Sequence, residues 1–176
     1  MATKFVQSAP GAASAWTGNH AGAGWDTTDS AFYINPDGTR RKLSVANEAE
    51  VVTATNAIAA TENDKTFFLN SATEFVSTLP APALGLKFTF IVSAAPSGAS
   101  YTVVTSGSSN VLKGHIVSSQ DAGGSADSET SGGDTFSFVD GKAVVGDRAV
   151  FESDGTSWFV SAYCKVFDGC TITTAS

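Results

Sequence analysis

Residues 86–92 read Leu-Lys-Phe-Thr-Phe-Ile-Val, and this stretch decides the fold class. The apolar residues Leu86, Phe88, Phe90 and Val92 alternate with the residues between them, which is the period of two that a half-buried β-strand produces. The stretch therefore predicts a strand that has one face in the protein core.

The same alternation recurs from Lys65 to the C-terminus, interrupted by turns rich in Gly, Pro, Asn, Asp and Ser. No stretch has the spacing of a long amphipathic helix. The other predicted strands are residues 66–69, 75–79, 101–105, 111–117, 135–139, 148–152, 158–166 and 171–174. Many short strands at near-regular spacing predict an all-β fold, with a β-sandwich or a small β-barrel over residues 62–176.

Two Asp-Gly pairs near the C-terminus are suited to two-residue type I′ hairpin turns. A turn of this kind at residues 154–155 places Phe151 opposite Trp158 and Ala149 opposite Val160. The alternation and this register predict a structural core that contains Phe88, Phe90, Phe151, Trp158 and Val160.

The chain has two cysteines, Cys164 and Cys170. A two-residue turn at residues 168–169 places Cys164 opposite Thr173 and sends the two side chains to opposite sheet faces, which predicts free thiols. A wider loop over residues 165–169 would bring the cysteines opposite each other and permit a disulfide, so both interpretations stay open. Zinc is not expected, because His20 and His115 are the only further ligands of the usual kind.

Residues 1–61 differ from the rest in composition and are predicted to form an extended N-terminal arm rich in Gly, Ala and Ser. Residues 47–62 are compatible with a short helix, but the β-branched residues favour a strand or an extended connector. Free linkers seldom carry large apolar side chains, so the arm is predicted to lie on neighbouring subunits; folding back on its own domain is the alternative. The predicted anchors are Phe5, Trp16, Trp25, Phe32, Tyr33, Arg40, Arg41 and Lys42.

The composition excludes several functions. A net charge of −7 and a pI near 4.6 argue against nucleic acid, whose phosphates require a basic face. No apolar run is long enough to cross a bilayer, and the first ten residues lack the apolar core of a secretory leader. We therefore expect no membrane partner, and synthesis in a cytosol.

No catalytic motif is recognisable. The chain lacks a Gly-x-Ser-x-Gly elbow, a P-loop and a His-x-x-x-His pair, and neither His20 nor His115 has a local partner pattern. The acidic segment 121–134 offers carboxylates, but its spacing matches no calcium motif. We expect a protein that is not an enzyme and that uses no metal, cofactor or small-molecule substrate.

Four segments in order carry a family resemblance: residues 66–70 (Thr-Phe-Phe-Leu-Asn), 78–92 (Thr-Leu-Pro-Ala-Pro-Ala-Leu-Gly followed by residues 86–92), 145–147 (Val-Gly-Asp) and 153–160 (Ser-Asp-Gly-Thr-Ser-Trp-Phe-Val). Together they resemble virion proteins of tailed bacteriophages, in particular capsid decoration (cement) proteins of marine and cyanobacterial phages. The resemblance covers about residues 62–163. Residues 1–61 and the two cysteines depart from it.

The resemblance implies a non-enzymatic protein that binds the outer surface of an assembled phage head and stabilises it. Its partner would be the major capsid protein, its own state a homotrimer, and its arm would contact neighbouring subunits. It would be made in the bacterial host cytoplasm and reside on the capsid exterior. The alternative is a tail-fibre or receptor-binding β-module of a phage tail.

Overall fold

The computed structural model describes residues 22–26, 31–35, 41–43, 48–71, 73–119 and 128–174. The chain divides into two compact units, Met1–Asn47 and Glu48–Ser176. The described residues form fifteen β-strands and two single-turn 3₁₀ helices, which confirms the all-β class.

The strands are numbered β1 to β15 in chain order. They are β1 Gly22–Asp26, β2 Ala31–Asn35, β3 Arg41–Leu43, β4 Ala49–Val52, β5 Asn56–Ala57, β6 Lys65–Leu69, β7 Phe75–Thr78, β8 Lys87–Val92, β9 Tyr101–Val104, β10 Leu112–Ser118, β11 Ser128–Gly133, β12 Thr135–Phe138, β13 Arg148–Ser153, β14 Trp158–Cys164 and β15 Cys170–Thr173. The 3₁₀ helices are Ala60–Glu62 and Ser106–Ser108. The nine predicted strands coincide with β6 to β10 and β12 to β15 within two residues at either end.

The described part of the first unit is an antiparallel three-stranded sheet in the order β1-β2-β3. The β1–β2 register pairs Trp25 with Phe32, and the β2–β3 register pairs Tyr33 with Lys42. These described residues of the predicted extended arm therefore form strands. The Gly-rich β1 has no alternation to reveal it, and its pairing comes from backbone hydrogen bonds, which the side-chain pattern does not record.

The second unit contains two mixed sheets. One has seven strands in the order β11-β10-β14-β13-β8-β6-β4, and the other has five in the order β15-β12-β9-β7-β5. From β4 to β9 the chain passes alternately between the sheets, so that β4, β6 and β8 are parallel neighbours in one and β5, β7 and β9 in the other. The remaining pairs are antiparallel, except that β10 runs parallel to β14, and the two sheets pack as a β-sandwich.

The second unit begins earlier than predicted. Residues 49–52 and 56–57 pair in register with β6 and β7, so the boundary expected between residues 61 and 62 moves to residues 47 and 48. The strand interpretation of residues 47–62 is correct for β4 and β5. Only Ala60–Glu62 is helical, as a single 3₁₀ turn.

One continuous aromatic core lies between the two sheets. It contains the fully buried side chains of Phe88, Phe90, Phe151 and Trp158, and Val160 is only 1% exposed. The ring of Phe151 meets that of Phe90 within its own sheet at 5.3 Å and that of Phe136 in the other sheet at 5.5 Å. These edge-on contacts join the two layers.

The first predicted hairpin exists, but its register is different. Ser153 pairs with Trp158 and Phe151 pairs with Val160, so the predicted pairing of Phe151 with Trp158 is wrong. The indole of Trp158 packs instead on the ring of Phe88, at 5.7 Å between centroids.

The side chain of Asp154 causes this difference. A type I′ turn needs positive φ at both central residues, whereas in this turn only Gly155 has it, at +96°. The Oδ1 atom of Asp154 accepts hydrogen bonds of 2.8 Å from the backbone N–H groups of Thr156 and Ser157, which favours a four-residue connection over residues 154–157.

The second predicted hairpin does not form. β14 belongs to the seven-stranded sheet and β15 to the five-stranded sheet, so residues 165–169 cross from one layer to the other. Cys164 and Cys170 therefore do not point to opposite faces of one sheet. Both are buried free thiols at the two ends of the crossing, and their side chains are hydrogen-bonded.

Candidate binding surface

A row of aligned residues crosses the outer face of the seven-stranded sheet, which faces away from the core. Consecutive registers join six strands, from β4 through β6, β8, β13 and β14 to β10. The row consists of Val51, Phe68, Ile91, Arg148, Tyr163 and Val117. Five of these six residues are apolar or aromatic, although they lie on the face opposite to the core of the second unit.

The ends of this outer row are well exposed. Val51 is 58% exposed, Val117 54% and Tyr163 53%, while Phe68 and Ile91 are half-buried. The guanidinium group of Arg148 lies 5.6 Å from the centre of the Tyr163 ring, a cation–π distance. Contiguous apolar surface of this kind on a folded domain marks interaction sites more often than isolated apolar residues do.

The neighbouring rows differ from the outer row in polarity. On one side lies a row of small, β-branched and hydroxyl side chains with one histidine: Thr66, Thr89, Val150, Ser161 and His115. Beyond it, Lys87 and Glu152 form an exposed ion pair at 3.2 Å beside Phe159, which is 45% exposed. Among the described residues of this face, Lys87 and Glu152 are therefore paired at the margin, and Arg148 is the charged residue of the outer row.

Charges gather instead at the β4–β6 end of the sandwich. The ammonium group of Lys65 binds the carboxylates of Glu50 and Glu62. Burial tends to lower the pKa of Lys65, but the hydrogen bonds that its ammonium group donates to the two carboxylates outweigh this effect and raise that pKa. Burial likewise tends to raise the pKa of Glu62, and the hydrogen bonds from Lys65 and from the Ala59 N–H lower it. The charges of this cluster are paired with one another, and the ion pair between Glu62 and Lys65 links the 3₁₀ turn to β6.

A cleft of about 380 Å³ lies beside the outer row, lined by Val117, Ser119, Val144, Val145, Gly146, Asp147, Arg148, Tyr163, Cys164 and Lys165. The carboxylate of Asp147 is buried and accepts hydrogen bonds of 2.9 Å from the N–H groups of Val144 and Lys165. Both oxygens of Asp147 are therefore engaged in holding the turn against the end of β14. Cys164 is the nucleophilic side chain on this cleft.

Other chemistry is sparse in the part of the chain that the structure describes. His115 is exposed in β10. Within the described ranges, no group of three or more His, Cys, Asp or Glu residues is arranged to hold a metal ion. Those ranges also contain no helix of the length and apolarity needed to cross a bilayer. Of the acidic segment, residues 128–133 form β11 and Asp134 is buried, with residues 121–127 outside the described residues.

The predicted arm anchors are divided by the structure. Phe5, Trp16 and Arg40 lie outside the described residues. The backbones of five others lie in the three-stranded sheet: Trp25 in β1, Phe32 and Tyr33 in β2, and Arg41 and Lys42 in β3.

The outer row was missed by sequence reasoning, although a signal was present. In β6, β8, β10 and β14 the positions that alternate with the core are expected to be polar, yet Phe68, Ile91, Val117 and Tyr163 occupy them. Apolar residues on both faces of a strand indicate that the second face is also used.

No protein-family model matches this sequence, and a search of curated protein sequences finds no significant match.

Proposed function

We propose that this chain is a non-enzymatic structural protein of a phage virion, a capsid decoration protein that binds the outer surface of the assembled head. One observation carries the structural side of the proposal: the exposed apolar row across six strands of the seven-stranded sheet. The motifs at residues 66–92 and 145–160 supply the resemblance to decoration proteins.

The outer face suits attachment by contact area. Five of the six residues in its outer row are apolar or aromatic, Arg148 is the one charged member, and Lys87 and Glu152 are paired at the margin, so docking removes apolar surface from water without stripping many ions of their hydration. The row is held in register by backbone pairing, which limits the entropy lost on binding. A protein that binds the assembled shell and not its free subunits stabilises the shell by mass action.

The N-terminal unit supplies a second set of contacts in this proposal. Trp16, Trp25, Phe32 and Tyr33 are of the residue types that dominate interface energies, at roughly 2 kcal/mol or more each when fully buried. They would reach neighbouring subunits of the major capsid protein, and the protein would act as a homotrimer on the capsid exterior after synthesis in the host cytoplasm.

Binding to shells tests the proposal directly. Heads assembled without the protein are mixed with the purified chain and sedimented, in parallel with unassembled major capsid protein. We expect the chain to co-sediment with shells and to leave the free subunits unbound. Many bound copies per head are expected, whereas a tail-fibre module would be present in few copies and on tails.

A matched pair of variants tests the outer face. Val117→Glu places a charge at the exposed β10 end of the outer row, and Thr173→Glu places the same charge on an exposed residue of the five-stranded sheet. Both should fold, because both positions are exposed. Val117→Glu should weaken shell binding at least about tenfold, as one desolvated charge at an apolar interface costs more than 1.4 kcal/mol. Equal binding by the two variants would remove the outer face from the proposal.

Deletion of residues 2–46 tests the arm separately. The second unit has its own core, so it should keep the far-ultraviolet circular dichroism of a β-sandwich while losing shell binding. Full occupancy of shells by the truncated chain would show that the arm is not needed for attachment.

A further inference from the structure

The crossing between the two sheets ends in a cysteine on each side. Cys164 is the last residue of β14 and Cys170 is the first residue of β15, and both are buried, at 5% and 0% exposure. The segment between them turns tightly, because the Gly169 N–H donates to the Val166 carbonyl at 2.9 Å. A Cβ atom at Gly169 would lie 3.5 Å from the Cβ of Cys164, so the returning chain runs directly against this cysteine.

The sulfur of Cys164 is surrounded by hydrogen-bond donors. It accepts from the thiol and the backbone N–H group of Cys170, and the Gly169 N–H, which donates to the Val166 carbonyl, adds a smaller effect on it. The β12–β15 register explains why the backbone N–H group of Cys170 is free to donate to the Cys164 sulfur. Val139 donates to the Gly169 carbonyl at 2.9 Å, which makes Phe138 and Cys170 a non-hydrogen-bonded pair whose N–H groups point away from each other.

These contacts make the two thiols unequal. The hydrogen bond from the Cys170 thiol lowers the pKa of Cys164, with the two backbone amides adding to this effect and burial and the Asp147 carboxylate opposing it. Donating that hydrogen bond, together with burial, raises the pKa of the Cys170 thiol. Cys164 is therefore the more readily ionised of the two thiols, and the thiolate is the form of cysteine that attacks disulfides.

Cys164 is also the cysteine with an approach from outside. It lines the cleft of about 380 Å³ formed with Val117, Asp147 and Tyr163, whereas Cys170 does not line it. A small molecule entering the cleft meets the end of β14 first. Access and ionisation thus select the same sulfur as the one that reacts.

We propose that Cys164 and Cys170 form a redox-active dithiol that low-molecular-weight disulfides convert to an intramolecular disulfide across the two sheets. In the first step the Cys164 thiolate attacks one sulfur of the small disulfide, forming a mixed disulfide and releasing one small thiolate. In the second step the Cys170 thiol gives its proton to that thiolate and attacks the Cys164 sulfur, releasing the second small thiolate. The two protein sulfurs lose two electrons in total, and the small disulfide gains them and leaves as one thiol and one thiolate.

The product would be a covalent tie between β14 and β15, closed once the protein leaves a reducing cytosol. It restricts the unfolded chain and so raises stability, modestly because the ring is small. The inference concerns the chemistry of the chain itself and holds whether or not the protein decorates capsids.

Mass spectrometry of the folded full-length protein tests the proposal. The chain is incubated with oxidised glutathione at neutral pH, unfolded, and alkylated. The wild type should lose two hydrogens and take up no alkylating agent. Cys170→Ser should stop at a single glutathione adduct on Cys164, and Cys164→Ser should form an adduct at least about tenfold more slowly, since its remaining thiol is buried and protonated.

Two results would overturn the inference. One is a folded wild type that keeps both thiols over a period in which the urea-unfolded chain oxidises completely. The other is an adduct that forms as fast in Cys164→Ser as in Cys170→Ser. Circular dichroism verifies that the serine variants fold. If either does not, peptide mapping of early time points in the wild type must find the first mixed disulfide on Cys164, and finding it on Cys170 overturns the assignment.

Discussion

Replacing Trp158 by alanine should strongly destabilise the β-sandwich. The side chain is fully buried and packs against Phe88 at 5.7 Å between ring centroids, so its removal leaves a large cavity at the centre of the seven-stranded sheet. Aromatic-to-alanine substitutions in a core cost about 3–5 kcal/mol, which is a large share of the roughly 5–15 kcal/mol that stabilises a typical domain. We expect the melting temperature to fall by about 10–20 °C.

Trp158→Phe distinguishes the stability cost of a cavity from the stability cost of the buried, unpaired indole N–H. The Nε1 atom of Trp158 is buried and has no hydrogen-bond partner among the described residues, a penalty of about 1–3 kcal/mol that phenylalanine does not incur. Phenylalanine also refills part of the volume. The loss should therefore stay below about 2 kcal/mol, well under that of the alanine variant.

Urea unfolding followed by far-ultraviolet circular dichroism measures both variants, since Trp16 and Trp25 would complicate fluorescence. Phe159→Ala is the matched control, because this neighbour is 45% exposed on the opposite face and should change stability by less than about 1 kcal/mol. An unchanged midpoint for Trp158→Ala would place the indole in solvent and refute the packing argument. A phenylalanine variant that is less stable than the alanine variant would refute the account of the unpaired N–H.

Three further substitutions probe backbone, turn and charge. Gly114→Ala should cost at least about 1–3 kcal/mol in thermal unfolding, because a Cβ at this position would lie 1.9 Å from the Val160 carbonyl oxygen; wild-type stability would show that β10 can move away from β14. Asp154→Ala should lower the melting temperature by losing the acceptor of its turn, and Asp154→Asn should restore most of the loss. The depressed pKa of Glu62 predicts stability that is present above its ordinary value of 4.5 and is lost as the pH falls below it, so Glu62→Gln should be destabilising at neutral pH and nearly neutral at about pH 3. An equal effect at both pH values would indicate that the Lys65 ion pair does not stabilise the fold.

The strands and the core were predictable because alternation records which face of a strand is buried. Phe88 and Phe90 belong to a run whose every second residue is apolar, and both are fully buried. The hairpin register was not predictable from the same signal. Phe151 faces Val160 instead of Trp158, a shift of two residues, and a shift of two leaves each side chain on its original face. The residues predicted for the core are therefore buried, although the predicted pairing is wrong.

Pairing partners depend on contacts that the local sequence does not contain. Residues 164–170 read as strand, Asp-Gly turn and strand, which is compatible with a hairpin and equally with a crossing to a second sheet. The five-stranded sheet offers β12 as the partner of β15, and this long-range choice brings the cysteines together. β11 was missed for a related reason. Its sequence, Ser-Glu-Thr-Ser-Gly-Gly, has little intrinsic strand preference, and pairing with the exposed edge of β10 forms the strand.

The outer row shows what an apolar residue on the second face of a strand can mean. β14 buries Trp158, Val160, Ala162 and Cys164 on its inner face, so Tyr163 on its outer face adds nothing to that core. Val51, Ile91 and Val117 of the same row are β-branched residues with few rotamers, and Arg148 lies against the Tyr163 ring, so the surface is already ordered before any partner arrives. Binding to such a surface gains the burial of apolar area and loses little side-chain entropy, which is the property that a protein attaching by contact alone requires.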